Sequence, residues 1–396
     1  MFKALFNWAN LWITVLVFIF MWLVSIVPLN FDIINPIQQV FQDFDISDIY
    51  FSKIRQQQKG DDRIVLVNIG NLSRGEVAEV VNILNTANPK TIGIDAFFRK
   101  PKDPKGDSAL AGALANVKNL VMVSELPGAK YNAKKQQYDS LETSNAMFMK
   151  KASSGFANII SSGDKNEFVT FRTFSPKENV LGKVEYAFGV RLAQMYDSKV
   201  AKKIIDRGNN VENINFRGDF DKFLALDWPQ VLNKEFKPEM LKDKIVILGF
   251  MGTTLDMIEF KDRVYTPMNA NYIGRSTPDM YGVVVHANIV SMILSDTYIY
   301  DAPLWLDLLI SFVICFVVVS ILGYLYERSG FFYDGLTLLV QFTFSVLLII
   351  GIVYSFDILA VKLNFGITVL SIIVAGFFVE IYLGFLKKLF IKNKKA

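Results

Sequence analysis

The chain has one cysteine, Cys315, and one histidine, His286, among 396 residues. A lone thiol excludes a disulfide scaffold, and so few soft ligands give no basis for a zinc or iron–sulfur centre. Charge of one sign is lacking too: 42 Lys and Arg against 38 Asp and Glu leave a formal net charge of +4. No clustered basic face is visible, so nucleic acid is not an expected partner. No serine, cysteine or lysine stands in a recognisable nucleophile motif, and no carboxylate pair shows acid–base spacing. The expectation is a protein that is not an enzyme and carries no metal or cofactor.

What the chain has in excess is apolar. Hydrophobic residues make up 52% and the mean hydropathy is +0.31. That exceeds an ordinary soluble domain, while 20% charged residues exceed what a pure membrane bundle would carry. The balance predicts a membrane protein with one sizeable water-exposed domain.

Four apolar runs are long enough to cross a bilayer: Leu11–Val27, Trp305–Leu325, Leu336–Ser355 and Phe365–Leu386. No small-residue cleavage site follows the first, so it reads as an uncleaved signal anchor. The tail from Lys387 to Ala396 carries five lysines and no acid, which places it in the cytoplasm and in touch with anionic lipid. An even number of spans puts the N-terminus there too and exports the long segment between the first two. The expected organisation is residues 1–29 as a transmembrane anchor, 30–303 as the exported domain, 304–386 as three transmembrane helices and 387–396 as a basic cytoplasmic tail.

Within the exported segment, strands and helices alternate. Arg63–Gly70 and Thr91–Phe98 read as buried strands, as do Asn119–Glu125 and Ile245–Gly249. Gly75–Ala87 reads as a helix capped by Ser73 with Glu76 three residues on, and Asp107–Val117 as the next. This order predicts an α/β domain with a mainly parallel or mixed sheet covered by helices. Ala129–Leu141 reads as a polar surface excursion. Gly155–Ile160 and Phe168–Phe174 read as short strands about a turn at Ser161–Asn166, followed by a helix Val184–Tyr196 and a strand Asn213–Arg217. Val283–Leu294 is expected to be the last helix before the second span.

Several constellations are candidate sites. In ILGFMGTT, Gly249 and Gly252 follow a strand and precede Thr253, but no lysine follows, so this is not a nucleotide P-loop. Asp43, Asp45 and Asp48 lack the glycine and late glutamate of a calcium loop and read as a solvated segment, as do Asp219 and Asp221. Asp95 ends an apolar strand, where ligands gather on parallel sheets. His286 is the one side chain that titrates near neutral pH. Glu380 lies inside an apolar run but close to Lys387, which suits an interfacial position.

These stretches together resemble the CHASE2 family of extracytoplasmic sensory domains of bacterial receptors. The resemblance is carried by TIGIDAFF with the following Asp107, by GFAN at Gly155–Asn158, and by KIVILGFMGTT at Lys244–Thr254. It is carried further by DRVYTP at Asp262–Pro267 and YGVVVHAN at Tyr281–Asn288. One leading span and three following ones match that family's layout. Two departures stand out. Ile69–Ser73 stands where the family has an acidic strand end and a Trp/Pro/Arg-rich turn, and no output domain is expected after the last span. The resemblance implies a multi-pass protein of the bacterial inner membrane with its large domain periplasmic. It would bind a ligand or protein partner outside and pass a signal to a separate protein. The alternative is a non-catalytic accessory subunit of an envelope complex for secretion, transport or motility. Strand-end geometry and the resemblance together place the expected ligand site at Asp95, Gly249, Gly252, Thr253, Asp262, Thr266 and His286. A homo-oligomer formed through the spans would suit a receptor.

Overall fold

Residues 8–26 are apolar at nearly every position, and the backbone satisfies its own hydrogen bonds there as helix α1 (Trp8–Ile26). The computed structural model describes residues 7–26, 45–158, 170–257, 259–269, 277–363 and 366–387. Lys3, the end of the first apolar run at Val27, Asp43, and the turn expected at Ser161–Asn166 with the flanking ends of its two strands lie outside these described residues. So does the lysine tail beyond Lys387. The chain divides into two compact units, one spanning Asp48–Ile299 and the other formed by the segments before and after it.

In the Asp48–Ile299 unit, β1 (Asp61–Asn68) buries Ile64, Val65, Leu66 and Val67 completely. Alternating side chains serve both faces: Val65 and Val67 enter a core shared with the first two helices, while Ile64 and Leu66 are buried outside that core. α2 (Arg74–Thr86) begins with the expected capping box, in which the Ser73 N–H donates to Glu76 at 2.7 Å. β2 (Thr91–Asp95) stops at Asp95, three residues short of expectation. α3 (Pro104–Ala115) starts three residues early because Asp103 caps it and Pro104 presets its first turn. Asp107 is therefore inside that turn, buried and ion-paired to Arg74 at the head of α2.

β3 (Leu120–Glu125) pairs with both β4 (Glu142–Thr143) and β5 (Ser153–Phe156). α4 (Phe188–Tyr196) begins four residues after the expected Val184. Lys183–Tyr186 instead pairs antiparallel with Lys177–Val180, and Leu181 and Gly182 reverse the chain at positive φ. α5 (Ser198–Asp206) follows. The strand expected at Asn213–Arg217 is reduced to Glu212–Asn213, because the Arg217 N–H turns away to Asn288 Oδ1 at 2.6 Å.

β6 (Phe223–Leu226), unforeseen in the sequence, joins the edge of the sheet beside β1, followed by α6 (Trp228–Leu232). β7 (Ile245–Gly249) inserts between β1 and β2. The sheet order is β6-β1-β7-β2-β3-β5, all parallel, with β4 as an antiparallel addition. A two-residue pair, β8 (Arg263–Val264) with β9 (Met280–Tyr281), leads into α7 (Gly282–Ser295). α4 and α7 share a face: a Cβ on Gly93 of β2 would meet Leu192, and one on Gly249 would meet Val283, both at 2.7 Å.

The Asp48 segment is not solvated. Asp48 is 3% exposed and takes two bonds from Arg172, at 2.8 and 2.7 Å. Asp45 pairs with Lys362 at 2.6 Å.

The second unit holds the apolar helices. α8 (Leu304–Ser329) passes through a 3₁₀ turn at Gly330–Phe332 into α9 (Tyr333–Leu359), and α10 (Gly366–Glu380) continues as a π-helical turn to Leu386. β10 (Tyr300–Asp301) and β11 (Val361–Lys362) pair, with the Tyr300 N–H on the Ala360 carbonyl at 2.8 Å. The start of α8 and the end of α9 therefore meet, and α9 doubles back along α8. By length and composition, three helical stretches among the described residues are fit to cross a membrane: Trp8–Ile26, the 56 residues of Leu304–Leu359, and Gly366–Leu386. Ile13 and Val17 of α1, Val318 and Leu322 of α8, and Ile372 and Val379 of α10 pack into one core. Polar contacts fix the register: the Ser311 and Thr368 hydroxyls lie 2.6 Å apart, and the Gln341 amide donates to the Ile372 carbonyl at 3.0 Å. Glu380 is exposed.

Candidate functional site at the carboxyl ends of the strands

Three neighbouring strands end in register: Asn68 of β1 pairs with Gly249 of β7, which pairs with Asp95 of β2. Asn68 is fully buried and tied on every side. Its amide donates to Asp227 Oδ1 at 2.9 Å and to the Gly252 carbonyl at 3.0 Å, and its Oδ1 accepts the N–H groups of Gly70 and Met251 at 3.0 and 2.8 Å. Asp227 also accepts the N–H of Leu255 at 2.9 Å. This knot shapes the loop after β7. Gly252 sits there at φ +97°, where a side chain would be strained and would also strike the Met257 carbonyl.

Thr253 is held by the same loop. Its N–H donates to Glu259 at 2.7 Å, its hydroxyl accepts from Asn71 at 3.1 Å, and its carbonyl accepts the Trp228 indole at 3.0 Å. Gly249 lies under Val283, leaving no room for a larger residue. The bonds of this glycine–threonine segment are internal, so it walls the strand ends and sets their shape.

The charged part of the site is built by Asp95, His286 and Asp262. Asp95 is half-buried at the tip of β2; burial raises its pKa, the Asp262 charge adds to that rise, and the His286 charge opposes it. His286 is 4% exposed in the first turns of α7, and burial lowers its pKa against the pull of Asp95. Its Nδ1 is buried with no hydrogen-bond partner among the described residues, and its ring meets Phe188 edge-on at 5.2 Å. Asp262 is exposed on its left-handed turn (φ +60°) and its carbonyl accepts the Gly282 N–H at the head of α7. A neutral imidazole beside a carboxyl that resists ionisation makes a pair able to exchange a proton or to accept a polar ligand.

Thr266 stands in a second polar group. Its N–H and hydroxyl donate to the two oxygens of Asp279, at 2.8 and 2.5 Å. Burial pushes the Asp279 pKa up to about 6 despite those bonds, and the Asp219 charge adds to the rise. Asp219 is itself raised by burial, so the reading of GDFD as solvated holds for Asp221, 62% exposed at its side chain, and fails for Asp219. Among the described residues no cluster of three or more His, Cys, Asp or Glu is arranged to hold a metal ion.

Of the residues expected from the sequence, the fold brings Asp95, His286 and Asp262 within electrostatic reach of one another; Asn68, Asp279 and Asn288 were not among the residues expected. The signal for Asn68 was a polar residue closing an otherwise unbroken apolar strand. Asn288, fully buried, closes the HAN stretch and holds the Gly218 loop through its N–H at 3.2 Å and its carbonyl at 2.9 Å.

A family model for the CHASE2 domain matches residues 13–325, running from within α1 through the α/β unit into α8. The chain belongs to the CHASE2 family. No curated protein and no solved structure shows significant similarity to it. CHASE2 domains are extracytoplasmic sensory domains, which agrees with an α/β unit bracketed by helices apolar enough for a membrane. In this CHASE2 chain the Ile69–Ser73 segment is a tightly bonded turn, with the Gly70 N–H on Asn68 and the capping box of α2.

Proposed function

We propose that this CHASE2 protein is a receptor-like component of the bacterial inner membrane. Its four apolar helices cross the bilayer, its α/β unit faces the periplasm, and both termini are cytoplasmic. A ligand or protein partner is recognised at the carboxyl ends of β1, β7 and β2, around Asp95, His286 and Asp262, with Gly249, Gly252, Thr253 and Thr266 shaping the rim. The signal reaches a separate protein through helix packing. The observation that carries this reading is the CHASE2 match itself, which extends past the α/β unit into the helices at both of its ends. The mechanism requires a ligand that prefers one of two packing states. The helix unit is suited to discrete states because it is registered by Ser311–Thr368 and by the Gln341 amide rather than by interchangeable aliphatic contacts alone.

The test is purification of the full chain from native membranes in mild detergent, with mass spectrometry of what accompanies it. A stoichiometric signalling protein, or a small molecule lost in an Asp95→Asn variant, supports the reading. Constant stoichiometric incorporation into a large envelope assembly, with no bound molecule and no change of response on removing residues 48–299, overturns it.

A further inference from the structure

α10 buries one face, where Ile372, Ala375 and Val379 enter the core shared with α1 and α8. Its outward face is as regular. Leu370, Ile373 and Phe377 are 45%, 58% and 59% exposed, and the exposed Glu380 follows at the next step. Steps of three, four and three residues are the spacing of a helix-packing seam. To one side of the seam Phe20 of α1 meets Phe378 at 5.3 Å. To the other, the Gln341 amide of α9 donates to the Ile373 carbonyl at 2.9 Å. Between these two helices of its own chain, α10 presents a straight row of side chains that the described residues leave uncovered.

Lipid chains would suit three positions of this row and not the fourth. Glu380 makes no hydrogen bond or ion pair among the described residues. Tyr333 is within electrostatic reach of it, but a phenol brings no positive charge. The carboxylate also lies inside the apolar stretch rather than at its edge. Gly366–Leu386 has 21 residues, about 30 Å at 1.5 Å per residue, so a bilayer core would take up its whole length. The six residues of the π-helical turn separate Glu380 from Lys387, whose pairing with Glu327 at 3.3 Å marks the polar level. Side chains lean towards the start of their helix, so Glu380 leans inward from that level. An acid held at such depth is costly unless a partner compensates its charge.

We propose that the seam of Leu370, Ile373, Phe377 and Glu380 docks a transmembrane helix of a different protein, which presents a lysine or arginine to Glu380. This contact rests on the reading of α10 as a membrane span, and it gives the chemistry of the separate protein to which a signal would pass. A second copy of the chain does not fit. The apolar stretches Trp8–Ile26, 304–326, 336–355 and Gly366–Leu386 contain no lysine or arginine. A two-fold contact about this seam would instead set Glu380 against its own counterpart, like charge against like. A basic residue supplies what lipid and a second copy both lack, and a charge pair out of water fixes the depth and rotation of the incoming helix.

The full-length chain with benzoylphenylalanine in place of Phe377, one turn from Glu380 on the seam, is irradiated in native membranes, and the cross-linked segment is identified by mass spectrometry. The expected adduct is with a transmembrane segment bearing Lys or Arg. Glu380→Gln should cut its yield at least tenfold, and Glu380→Asp, which keeps the charge, should retain most of it. Ile373→Trp, which enlarges the seam without touching the charge, should also cut the yield, and it decides the matter where Glu380→Gln fails to fold. Adducts with lipid alone, with a second copy or with a segment lacking a basic residue overturn the proposal, as does a yield indifferent to Glu380→Gln. Depth is checked apart from the partner. In a Cys315→Ala background, Glu380→Cys should resist a membrane-impermeant maleimide in membranes opened to it on both sides, and ready labelling would place position 380 in water and overturn the contact. The receptor reading is decided separately by which protein is captured: an envelope subunit with a basic segment would uphold this contact while counting against a signalling role.

Discussion

Asn68 shows how much one buried polar side chain can organise. It joins the end of β1 to the start of α6 and to the loop after β7 through four hydrogen bonds, all in the interior. Asn68→Ala would leave the Gly70 and Met251 N–H groups and the Asp227 carboxylate short of a partner. Each such buried group costs about 1–3 kcal/mol, so a loss of about 3 kcal/mol in stability is expected by thermal melting in detergent. An unchanged melting point would show that water replaces the amide. Asp279 presents the opposite case, a residue that costs stability at neutral pH. With a folded pKa of about 6 against 3.8, the folded state binds the extra proton between those values. Stability from this group is therefore complete below about pH 4 and declines as the pH rises through 6. Asp279→Asn keeps an acceptor for the Thr266 N–H and removes the charge. It should be more stable than wild type at pH 8, by up to about 3 kcal/mol, with the gap closing towards pH 4. Burial of His286 shifts stability in the other sense, lowering it as pH falls below 6.5. The difference between variant and wild type cancels that contribution.

At the scale of elements, the fit of α4 and α7 onto the sheet rests on glycines that look unremarkable in the sequence. A Cβ on Gly155 would meet the Phe188 backbone at 2.7 Å, and one on Gly249 would meet Val283 Cβ at the same distance. Gly155→Ala and Gly249→Ala should each cost about 1–3 kcal/mol by overpacking, whereas Gly112→Ala, in open space on α3, should add about 0.5–1 kcal/mol. Thermal melts of the three variants check this, and a stabilised Gly155→Ala would mean that α4 is free to move. The same packing explains what the sequence revealed. β1, β2, β3 and β7 are buried on both faces, so they read as unbroken apolar runs and were legible to within a few residues. β6 was not, because Phe223–Leu226 is four residues of edge strand wedged between a 3₁₀ turn and a helix cap. The late start of α4 was hidden by a hairpin turn whose first central residue is Leu181, a side chain that rarely takes positive φ. In the site, Asp95 and His286 were legible as strand-end and helix-entry residues. Asp279 was not, since its burial depends on β8 and β9 folding over it.

For the whole molecule, the decisive question is how many times the chain crosses the bilayer, and the paired ends of the α8–α9 hairpin bear on it directly. β10 and β11 hold residues 300 and 361 together, so on the proposed topology these two points would lie on one side of the membrane. α9 has 27 residues, about 40 Å at 1.5 Å per residue, more than the roughly 30 Å of hydrocarbon. The turn at Gly330–Phe332 would then emerge on the other side, where the 95% exposed Phe331 would be cytoplasmic. Cys315 is buried in the helix core and the sole native thiol, so a Cys315→Ala background provides a clean labelling template. In intact spheroplasts a membrane-impermeant maleimide should label Lys134→Cys, on the exposed excursion of the α/β unit, and should spare Phe331→Cys until the membrane is permeabilised. Equal labelling of both before permeabilisation would mean that the hairpin does not cross. The four-span arrangement would fall with it, and so would any signal carried through those helices to the cytoplasm.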